Sequence, residues 1–180
     1  MTFPHVRFRL WFAALALLSA ALAASVESSG LRPDPEDHRA ADRATVARVI
    51  DGDTIELTDG RMVRYIGIDT PEVRRRADGR WVEDPEPFGK EATQANAALV
   101  RGRVVRLEYD VQRRDRYGRL LAYVYISGPD QREVMVNEEL LRVGAAQLLT
   151  IPPNVRHVER FRRAVRDARR VGRGVWAEGN

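Results

Sequence analysis

Two aspartates are placed symmetrically on either side of a predicted hairpin that turns at Asp59-Gly60. Asp53 opens the first strand of this hairpin, and Asp69 closes the second. Because both lie at similar distances from the turn, we expect their carboxylates to converge at one end of the hairpin. Paired carboxylate oxygens suit a hard cation such as Ca²⁺. Asp-Gly and Asp-Thr-Pro sequences also form turns without a metal, and either aspartate alone is compatible with that structural role.

Two arginines stand among residues of core type. Arg64 lies inside an otherwise apolar strand, and Arg119 begins a strand after a Tyr-Gly turn. A cation in such surroundings is costly unless it is paired. Two guanidinium groups beside a metal would bind a phosphate and stabilise the charge of a pentacoordinate transition state. The alternative is a structural salt bridge to Glu56, Glu72 or Glu108.

The remaining polar residues and motifs limit which kinds of site this chain can form. Tyr117, in the turn before Arg119, is placed to contact a substrate, whereas the other tyrosines alternate with core positions and are expected to pack. The chain has no cysteine, and none of its three histidines has a partner at metal-ligand spacing, so a zinc site is disfavoured. It also lacks a G-x-x-x-x-G-K-[ST] phosphate loop and a G-x-S-x-G elbow. The formal net charge of +4 is modest, so binding of a polyanion would depend on local patches.

The elements that must position these residues are mostly short strands. Period-two alternation and turn signals predict strands at 45–50, 54–58, 62–68, 103–110, 119–126 and 134–136. Residues 71–88 are predicted to form a mobile surface loop. Short strands with helices inserted late in the chain are the outline of an OB-type fold. We therefore predict an α+β protein that is mainly β: a five-stranded Greek-key barrel with about three α-helices.

Three segments have helical periodicity. The first contains Ala92, Ala95 and Leu99 and should end at Gly102. Asn137 is predicted to cap a second helix that ends at Gly144. The third should start near Asn154 and bury Val155, Val158, Phe161, Val165 and Ala168, with Trp176 docking back onto the core. Eight arginines between 156 and 173 mark its other face, which we interpret as a solvated surface in preference to a DNA-binding helix.

The N-terminal segment is predicted to direct export. A basic start, an apolar run from residue 10 and the sequence Ala21-Leu22-Ala23 are typical of a secretory signal peptide over residues 1–23. An uncleaved membrane anchor is the alternative. Residues 24–43 contain serine, glycine and proline among charges and are predicted to be a flexible linker, so the folded domain is expected over 44–180. The predicted location is secreted or periplasmic, without stable membrane insertion once the signal is cleaved.

Three short segments carry a resemblance to a known family. They are Ile-Asp-Gly-Asp-Thr at 50–54, Asp-Thr-Pro-Glu at 69–72 with Arg64 five residues before it, and Asp-Arg-Tyr-Gly-Arg at 115–119. In this order they resemble the signature segments of the staphylococcal (thermonuclease-type) nucleases, the SNase-like domain. The similarity runs from about Val46 to Trp176. Each motif is weak alone, and the three together are highly specific.

The resemblance implies a Ca²⁺ site and a catalytic carboxylate. Asp53 and Asp69 would be carboxylate ligands of one Ca²⁺, and the backbone carbonyl of Thr70 would complete the protein ligands. Glu72 would activate or orient the attacking water. A hard cation polarises phosphoryl oxygens, and an ionised carboxylate can only accept a proton, so both roles are chemically sound.

The resemblance also implies the substrate and its contacts. Arg64 and Arg119 would bind the phosphate and stabilise the transition state, and Tyr117 would contact the substrate phosphate. Members of the family cut single- and double-stranded DNA and RNA internally and leave 3′-phosphate ends. The expected activity is thus that of a Ca²⁺-dependent endonuclease that acts as a monomer on DNA and/or RNA.

The chain departs from the family pattern at two places. The loop after Glu72 is longer. Residues 148–154 read Leu-Leu-Thr-Ile-Pro-Pro-Asn where the staphylococcal enzyme has pocket tyrosines, so base stacking there would be lost.

The main alternative to an endonuclease is a non-catalytic nucleic-acid-binding OB-fold module of the cell envelope, although the retention of all five acidic and basic site residues argues against a decayed site. The other is an envelope protein that binds anionic lipid or polymer through the arginine-rich helix.

Overall fold

The structure is a computed structural model that describes residues 42–77, 80–83, 86–128 and 130–177. The predicted signal peptide lies outside these residues, and so does the predicted linker except for positions 42 and 43. Those two positions belong to the first strand, which begins two residues before the predicted start of the domain. Within the described ranges, no helix has the length and apolar character needed to cross a membrane.

Ten strands and three helices make up the described chain. In chain order they are β1 (Asp42–Asp51), β2 (Thr54–Leu57), β3 (Met62–Tyr65), β4 (Ile68–Asp69), β5 (Arg74–Ala77), β6 (Arg80–Glu83), α1 (Gly89–Val100), β7 (Val104–Glu108), β8 (Leu120–Ser127), β9 (Glu133–Met135), α2 (Val136–Arg142), β10 (Gln147–Leu148) and α3 (Val158–Arg170). A single 3₁₀ turn at Gly174–Trp176 follows α3.

Five of the strands close into a barrel. Strand β1 pairs with both β2 and β7, β2 pairs with β3, and β7 pairs with β8, all antiparallel. Strands β3 and β8 close the ring as a parallel pair, with Val63 opposite Leu120. This strand order and the three helices are those of an OB-fold, so the predicted fold class and Greek-key barrel are confirmed.

Strand β1 is long because it serves two neighbours. Its first four residues pair with β7, and the rest pair with β2. Its register with β2 shifts between Val46 and Arg48 and again between Val49 and Asp51. Such irregularities bend a strand and increase its twist, so β1 can pass from one side of the barrel to the other. The second shift comes directly before the turn that holds Asp53.

The barrel interior is apolar, and side chains of the helices belong to the same core. Alternate strand residues are fully buried: Ile55, Leu57, Val63, Tyr65, Val105, Leu107, Ala122 and Val124. Leu140 and Leu141 of α2 and Phe161 of α3 belong to the same cluster. The predicted packing role of the tyrosines is confirmed at Tyr65 and also at Tyr123 and Tyr125, which are buried.

Glu108, at the end of β7, ties the segment before α3 to the barrel. Its carboxylate accepts hydrogen bonds from the Tyr125 hydroxyl at 2.8 Å and from Arg156 at 3.1 Å, and it lies 2.9 Å from the ring nitrogen Nε2 of His157. Burial by itself raises the pKa of Glu108, but the bonds from His157, Tyr125 and Arg156 hold it below its usual value. Folding is therefore coupled to the ionisation of this carboxylate.

A small hairpin occupies part of the segment predicted to be an irregular loop (71–88). Strands β5 and β6 pair antiparallel, with Arg74 opposite Glu83. The loop prediction is therefore wrong for these two strands. The sequence did contain a signal, since Asp78-Gly79 is a dipeptide typical of hairpin turns. The flanking arginines lack the apolar alternation by which strands are usually recognised.

Asn137 does not cap α2, contrary to prediction. Helix α2 begins at Val136, one residue before Asn137, and the Asn137 side chain is fully buried. Its carbonyl accepts a hydrogen bond from the Val124 amide at 2.9 Å, and its amide donates to the carbonyls of Ile66 at 2.9 Å and Ala122 at 3.4 Å. Asn137 thus links the backbone of β8 to the turn after β3 through buried hydrogen bonds.

The last helix begins at Val158, four residues later than predicted. Asn154 is instead buried in a loop, where its side chain exchanges two hydrogen bonds with the backbone of Gln112, at 2.7 and 2.8 Å. Val155, predicted to face the core, is 41% exposed. Phe161, Val165 and Ala168 are buried as predicted.

The outer face of α3 has the character of a solvated helix surface. Arg162 is 2.6 Å from Glu159, and Arg170 is 3.7 Å from Asp167, both within the helix. The predicted docking of Trp176 is observed, because its ring is half-buried against the core and Arg169 stacks over it at 4.0 Å.

Candidate active site

Asp53 is the buried centre of the site. Only 1% of the residue is exposed, because the β1–β2 turn packs it against the segment that follows β4. Its Oδ2 accepts hydrogen bonds from the backbone amide of Thr70 at 3.0 Å and from the Thr70 hydroxyl at 3.1 Å. Gly52 permits this approach, since a Cβ there would lie 2.6 Å from the Thr70 hydroxyl oxygen. The two ends of the hairpin therefore meet at Asp53 and Thr70.

Arg64 joins the two predicted metal ligands. It projects from β3, and its guanidinium contacts Oδ1 of Asp53 and lies 2.6 Å from Oδ1 of Asp69. The Arg64 side chain is largely buried, whereas that of Asp69 is 55% exposed. The structure thus brings Arg64, Asp53 and Asp69 together, and the ion pairs of Arg64 differ from the glutamate salt bridges considered from sequence.

Asp51 is a site residue that the sequence analysis treated only as part of a turn. Its Oδ1 accepts a hydrogen bond from the backbone amide of Asp53 at 3.1 Å. Burial raises the pKa of Asp51, while hydrogen bonds from Thr54 and the charges of Arg64 and Arg119 act in the opposite direction. Asp51 therefore places a further carboxylate beside the backbone of Asp53. The Asp-x-Asp spacing was the available signal, and its turn-forming role concealed it.

Asn96 of α1 supports this turn and was also missed. The residue is fully buried, and its amide donates to the backbone carbonyl of Asp51 at 3.0 Å. Its side-chain oxygen accepts a hydrogen bond from the hydroxyl of Tyr65 at 2.9 Å. Through these two hydrogen bonds, helix α1 fixes the position of the β1–β2 turn relative to Tyr65 of β3. No motif in the sequence marks a single asparagine in an amphipathic helix for this role.

Glu72 lies at the rim of the same region with its side chain exposed. Its backbone is fixed by Glu86, whose amide donates to the Glu72 carbonyl at 2.8 Å. Partial shielding from water raises the pKa of Glu72, and the like charges of Asp51, Asp69 and Glu86 raise it further, against the opposing effect of Arg64. The Glu72 carboxylate is thus placed among acidic groups and has a greater proton affinity than a free glutamate.

Arg119 is held by the turn that precedes β8. Nε of Arg119 donates a hydrogen bond to Oδ2 of Asp115 at 2.7 Å, and the backbone amide of Arg119 donates one to Oδ1 of Asp115 at 3.0 Å. The same Oδ1 accepts a second hydrogen bond, from the backbone amide of Tyr117 at 2.9 Å. The Tyr117 side chain is exposed, and the Arg119 guanidinium lies 5.6 Å from its ring centre. Asp115 thus orients Arg119, in place of the glutamates considered from sequence.

Arg119 stands between two open cavities. One, of about 350 Å³, is lined by Arg119 together with Asp51, Glu72 and other residues of β1, β2 and β3. The other, of about 260 Å³, is lined by Arg119 and Arg64 and by apolar residues such as Leu121, Leu149 and Ile151. A phosphodiester seated at Arg119 would have room for a substituent on either side.

The donor atoms at this site suit a hard cation. Among the described residues, no three acidic, histidine or cysteine side chains are grouped closely enough to hold a metal ion by themselves. Asp53 and Asp69 nevertheless both contact the guanidinium of Arg64, so they face one position at which a positive charge is held. All of the available donors are oxygens, which is the set that Ca²⁺ prefers. The exposure of Asp69 leaves this position open to solvent.

Comparison with known proteins identifies the family. The family model described as staphylococcal nuclease homologue matches residues 62–178. Thermonuclease of Staphylococcus hyicus is 38% identical over 135 residues, which cover 73% of this chain and 74% of that protein. Endonuclease YncB of Bacillus subtilis is 33% identical over 150 residues, which cover 81% of this chain and 67% of that protein.

A third relative is longer than this chain. SPbeta prophage-derived endonuclease YokF of Bacillus subtilis is 36% identical over 138 residues, and the match covers 74% of this chain but 44% of that protein. The family model covers more than half of the chain, and the S. hyicus thermonuclease is matched over more than two thirds of its own length. The predicted resemblance is therefore confirmed, and this chain belongs to the staphylococcal nuclease family.

Proposed function

We propose that this chain is a Ca²⁺-dependent endonuclease that hydrolyses phosphodiester bonds of DNA and/or RNA and leaves 3′-phosphate ends. The observation that supports this most directly is the meeting of opposite charges at one end of the barrel. Glu72 and Asp51 line the same cavity as Arg119, and Arg64 bridges the carboxylates of Asp53 and Asp69. The relatives named thermonuclease or endonuclease support the same reaction class.

Three residues would hold the cation. Asp53 and Asp69 would contribute carboxylate oxygens and Thr70 its backbone carbonyl. When bound, Ca²⁺ would polarise the phosphoryl oxygens of the substrate. The hydrogen bonds that Thr70 donates to Asp53 fix the orientation of that carboxylate before any cation arrives.

The two arginines would bind the scissile phosphate. Their guanidinium groups can each donate two parallel hydrogen bonds to phosphate oxygens, and these bonds strengthen as negative charge develops in the transition state. Asp115 holds Nε of Arg119 and leaves the terminal nitrogens of its guanidinium to the substrate. Tyr117, exposed beside Arg119, would contact a phosphate oxygen from the solvent side.

Glu72 would act as the general base. Burial and the neighbouring carboxylates raise its pKa, and the greater proton affinity that results favours proton abstraction. Water, losing a proton to Glu72, forms the new bond to phosphorus as the bond to the 5′ oxygen breaks. The 5′ oxygen leaves as a hydroxyl after taking a proton from solvent, and the phosphate stays on the 3′ oxygen.

The test is cleavage of plasmid and single-stranded DNA by the purified domain, with Ca²⁺ and then with excess chelator. We expect Ca²⁺-dependent cleavage that falls by orders of magnitude in Arg119→Ala and in Glu72→Ala. Arg132→Ala is the matched control, because Arg132 follows the far end of β8 and is exposed. Turnover like the wild type in either site variant would refute the residue roles. Tight DNA binding without cleavage under any divalent ion would favour the non-catalytic binding module instead.

We also propose that the protein acts outside the cytoplasm. The proposal rests on the signal-peptide pattern of residues 1–23. Expression of the full chain followed by cell fractionation and mass determination would test it. We expect a product in the medium or periplasm that lacks the first 23 residues. A full-length product in the membrane fraction would support the uncleaved anchor.

A further inference from the structure

The larger cavity extends well beyond the residues assigned to catalysis. Besides Asp51, Glu72 and Arg119, it is lined by Arg48 and Ile50 of β1, Met62 of β3 and Val73. Its volume of about 350 Å³ lies within the range of small-ligand sites. The function proposed above gives the second group of residues no role.

The strand register places Arg48 and Arg119 at the two ends of one row across the sheet. Arg48 is opposite Glu56, and Glu56 is opposite Met62. Val63 is opposite Leu120 in the parallel pair, so the preceding residues Met62 and Arg119 are level. Three strand spacings separate the ends of the row, a distance of about 14 Å between backbones. Long arginine side chains at both ends can therefore reach a ligand that crosses the row.

The lining has separate charged and apolar parts. Ile50, Met62 and Val73 are half-buried and provide an apolar surface. Asp51 and Glu72 repel anions and disfavour a phosphate between the two arginines. A ligand that fits this lining carries phosphates at its ends and an apolar or aromatic group between them, which describes a nucleotide unit of a polynucleotide. The polarisable thioether of Met62 is suited to contact an aromatic base.

From this arrangement, and resting on the proposed nuclease function, we propose that the cavity is a nucleotide subsite beside the scissile phosphate. Arg48 binds the neighbouring phosphate in the same strand, while Ile50, Met62 and Val73 contact the sugar and base. The outer face of β1, β2 and β3 is thereby the surface along which the unpaired substrate strand runs. The outer face of strands 2 and 3 binds oligonucleotides in other OB-folds.

Glu56, the ion-pair partner of Arg48, provides a matched control. Its carboxylate pairs with the guanidinium of Arg48, whose side chain is 67% exposed. If the pair only stabilises the fold, removal of either charge should have the same effect. If Arg48 binds substrate phosphate, removal of the Arg48 charge weakens binding, whereas removal of the Glu56 charge frees the guanidinium and strengthens it.

The experiment compares Arg48→Ala and Glu56→Gln with the wild type on a single-stranded fluorogenic oligonucleotide in the presence of Ca²⁺. We expect Arg48→Ala to raise KM about tenfold with kcat within twofold, which is the pattern of a lost binding contact outside the reaction centre. We expect KM to fall or stay constant in Glu56→Gln. An equal rise of KM in both variants, or no change in Arg48→Ala, would overturn the proposal.

A binding measurement separates failure of this proposal from failure of the proposed function. Fluorescence anisotropy with the same oligonucleotide, without metal and at several salt concentrations, does not require cleavage. The slope of log K against log salt should become shallower by about 0.7 in Arg48→Ala, the value expected for one lost single-strand phosphate contact. An unchanged slope would overturn the subsite even in an active enzyme. A reduced slope in a protein that does not cleave would retain the subsite and refute only the nuclease function.

Discussion

Substitution of Gly67 by alanine should destabilise the fold through two separable effects. Gly67 has a φ of +83°, and a Cβ there would lie 2.4 Å from Cε2 of the Phe161 ring. The left-handed backbone costs an alanine about 1–2 kcal/mol. Displacement of a fully buried ring costs about 1–3 kcal/mol more. We therefore expect the free energy of unfolding to fall by about 2–5 kcal/mol, the sum of these two effects.

Gly60→Ala isolates the backbone effect. Gly60 has nearly the same φ, +84°, but no atom lies within 4 Å of its ideal Cβ position. Its substitution should cost only the backbone part, about 1–2 kcal/mol. Urea denaturation of both variants measures the difference, which should be about 1–3 kcal/mol if Phe161 packs against Gly67 as described. Equal losses of stability in the two variants would refute the packing argument.

Three further predictions concern single polar side chains. Asn137→Ala should lower the free energy of unfolding by about 1–3 kcal/mol in chemical denaturation, because the buried Val124 amide loses its Asn137 partner; a loss below about 1 kcal/mol would mean that this amide is satisfied in another way. The pKa of Glu108 is lowered in the folded state, so its contribution to stability is present above about pH 5 and is lost as the pH falls through the lowered value. Glu108→Gln should thus flatten the acid limb of the stability–pH curve, and an unchanged limb would contradict the assignment. Asp115→Asn should lower kcat by roughly ten- to a hundredfold because Arg119 loses its orienting charge, with the thermal midpoint nearly unchanged; a normal kcat would show that Arg119 needs no such support.

The sequence predicted the barrel and the meeting of its two hairpin ends. Strand alternation and the Asp59-Gly60 turn indicated that positions 53 and 69 would be neighbours, and the structure brings both to Arg64. These inferences depend on local periodicity and on one turn, which are properties of short segments. The family motifs extended them to residues distant in the chain, such as Arg119.

What could not be predicted are side chains whose partners are far away in sequence. Asn137 and Asn154 both stand where a helix was expected to begin, yet each is buried and bonded to backbone groups of a strand or loop distant in sequence. Asp51 has the local features of a turn residue, and only the packed structure shows that it lines the same cavity as Arg119. Tertiary hydrogen bonds outweighed local propensity at Asn137 and Asn154, whereas Asp51 keeps its local turn bond to the Asp53 amide and also lines the cavity.

The parallel closure of the barrel has a consequence for when activity can begin. Arg64 and Arg119 are far apart in the chain and become neighbours only when β8 docks beside β3. Contacts of such long sequence separation form late, because the intervening chain must first be ordered. Asp53 and Asp69 come together with Arg64 in the segment that ends with β4, whereas Arg119 joins them only with β8, the last of the five barrel strands. On the proposed function, a chain kept unfolded while it crosses a membrane would be inactive, and cleavage would begin only when the barrel closes.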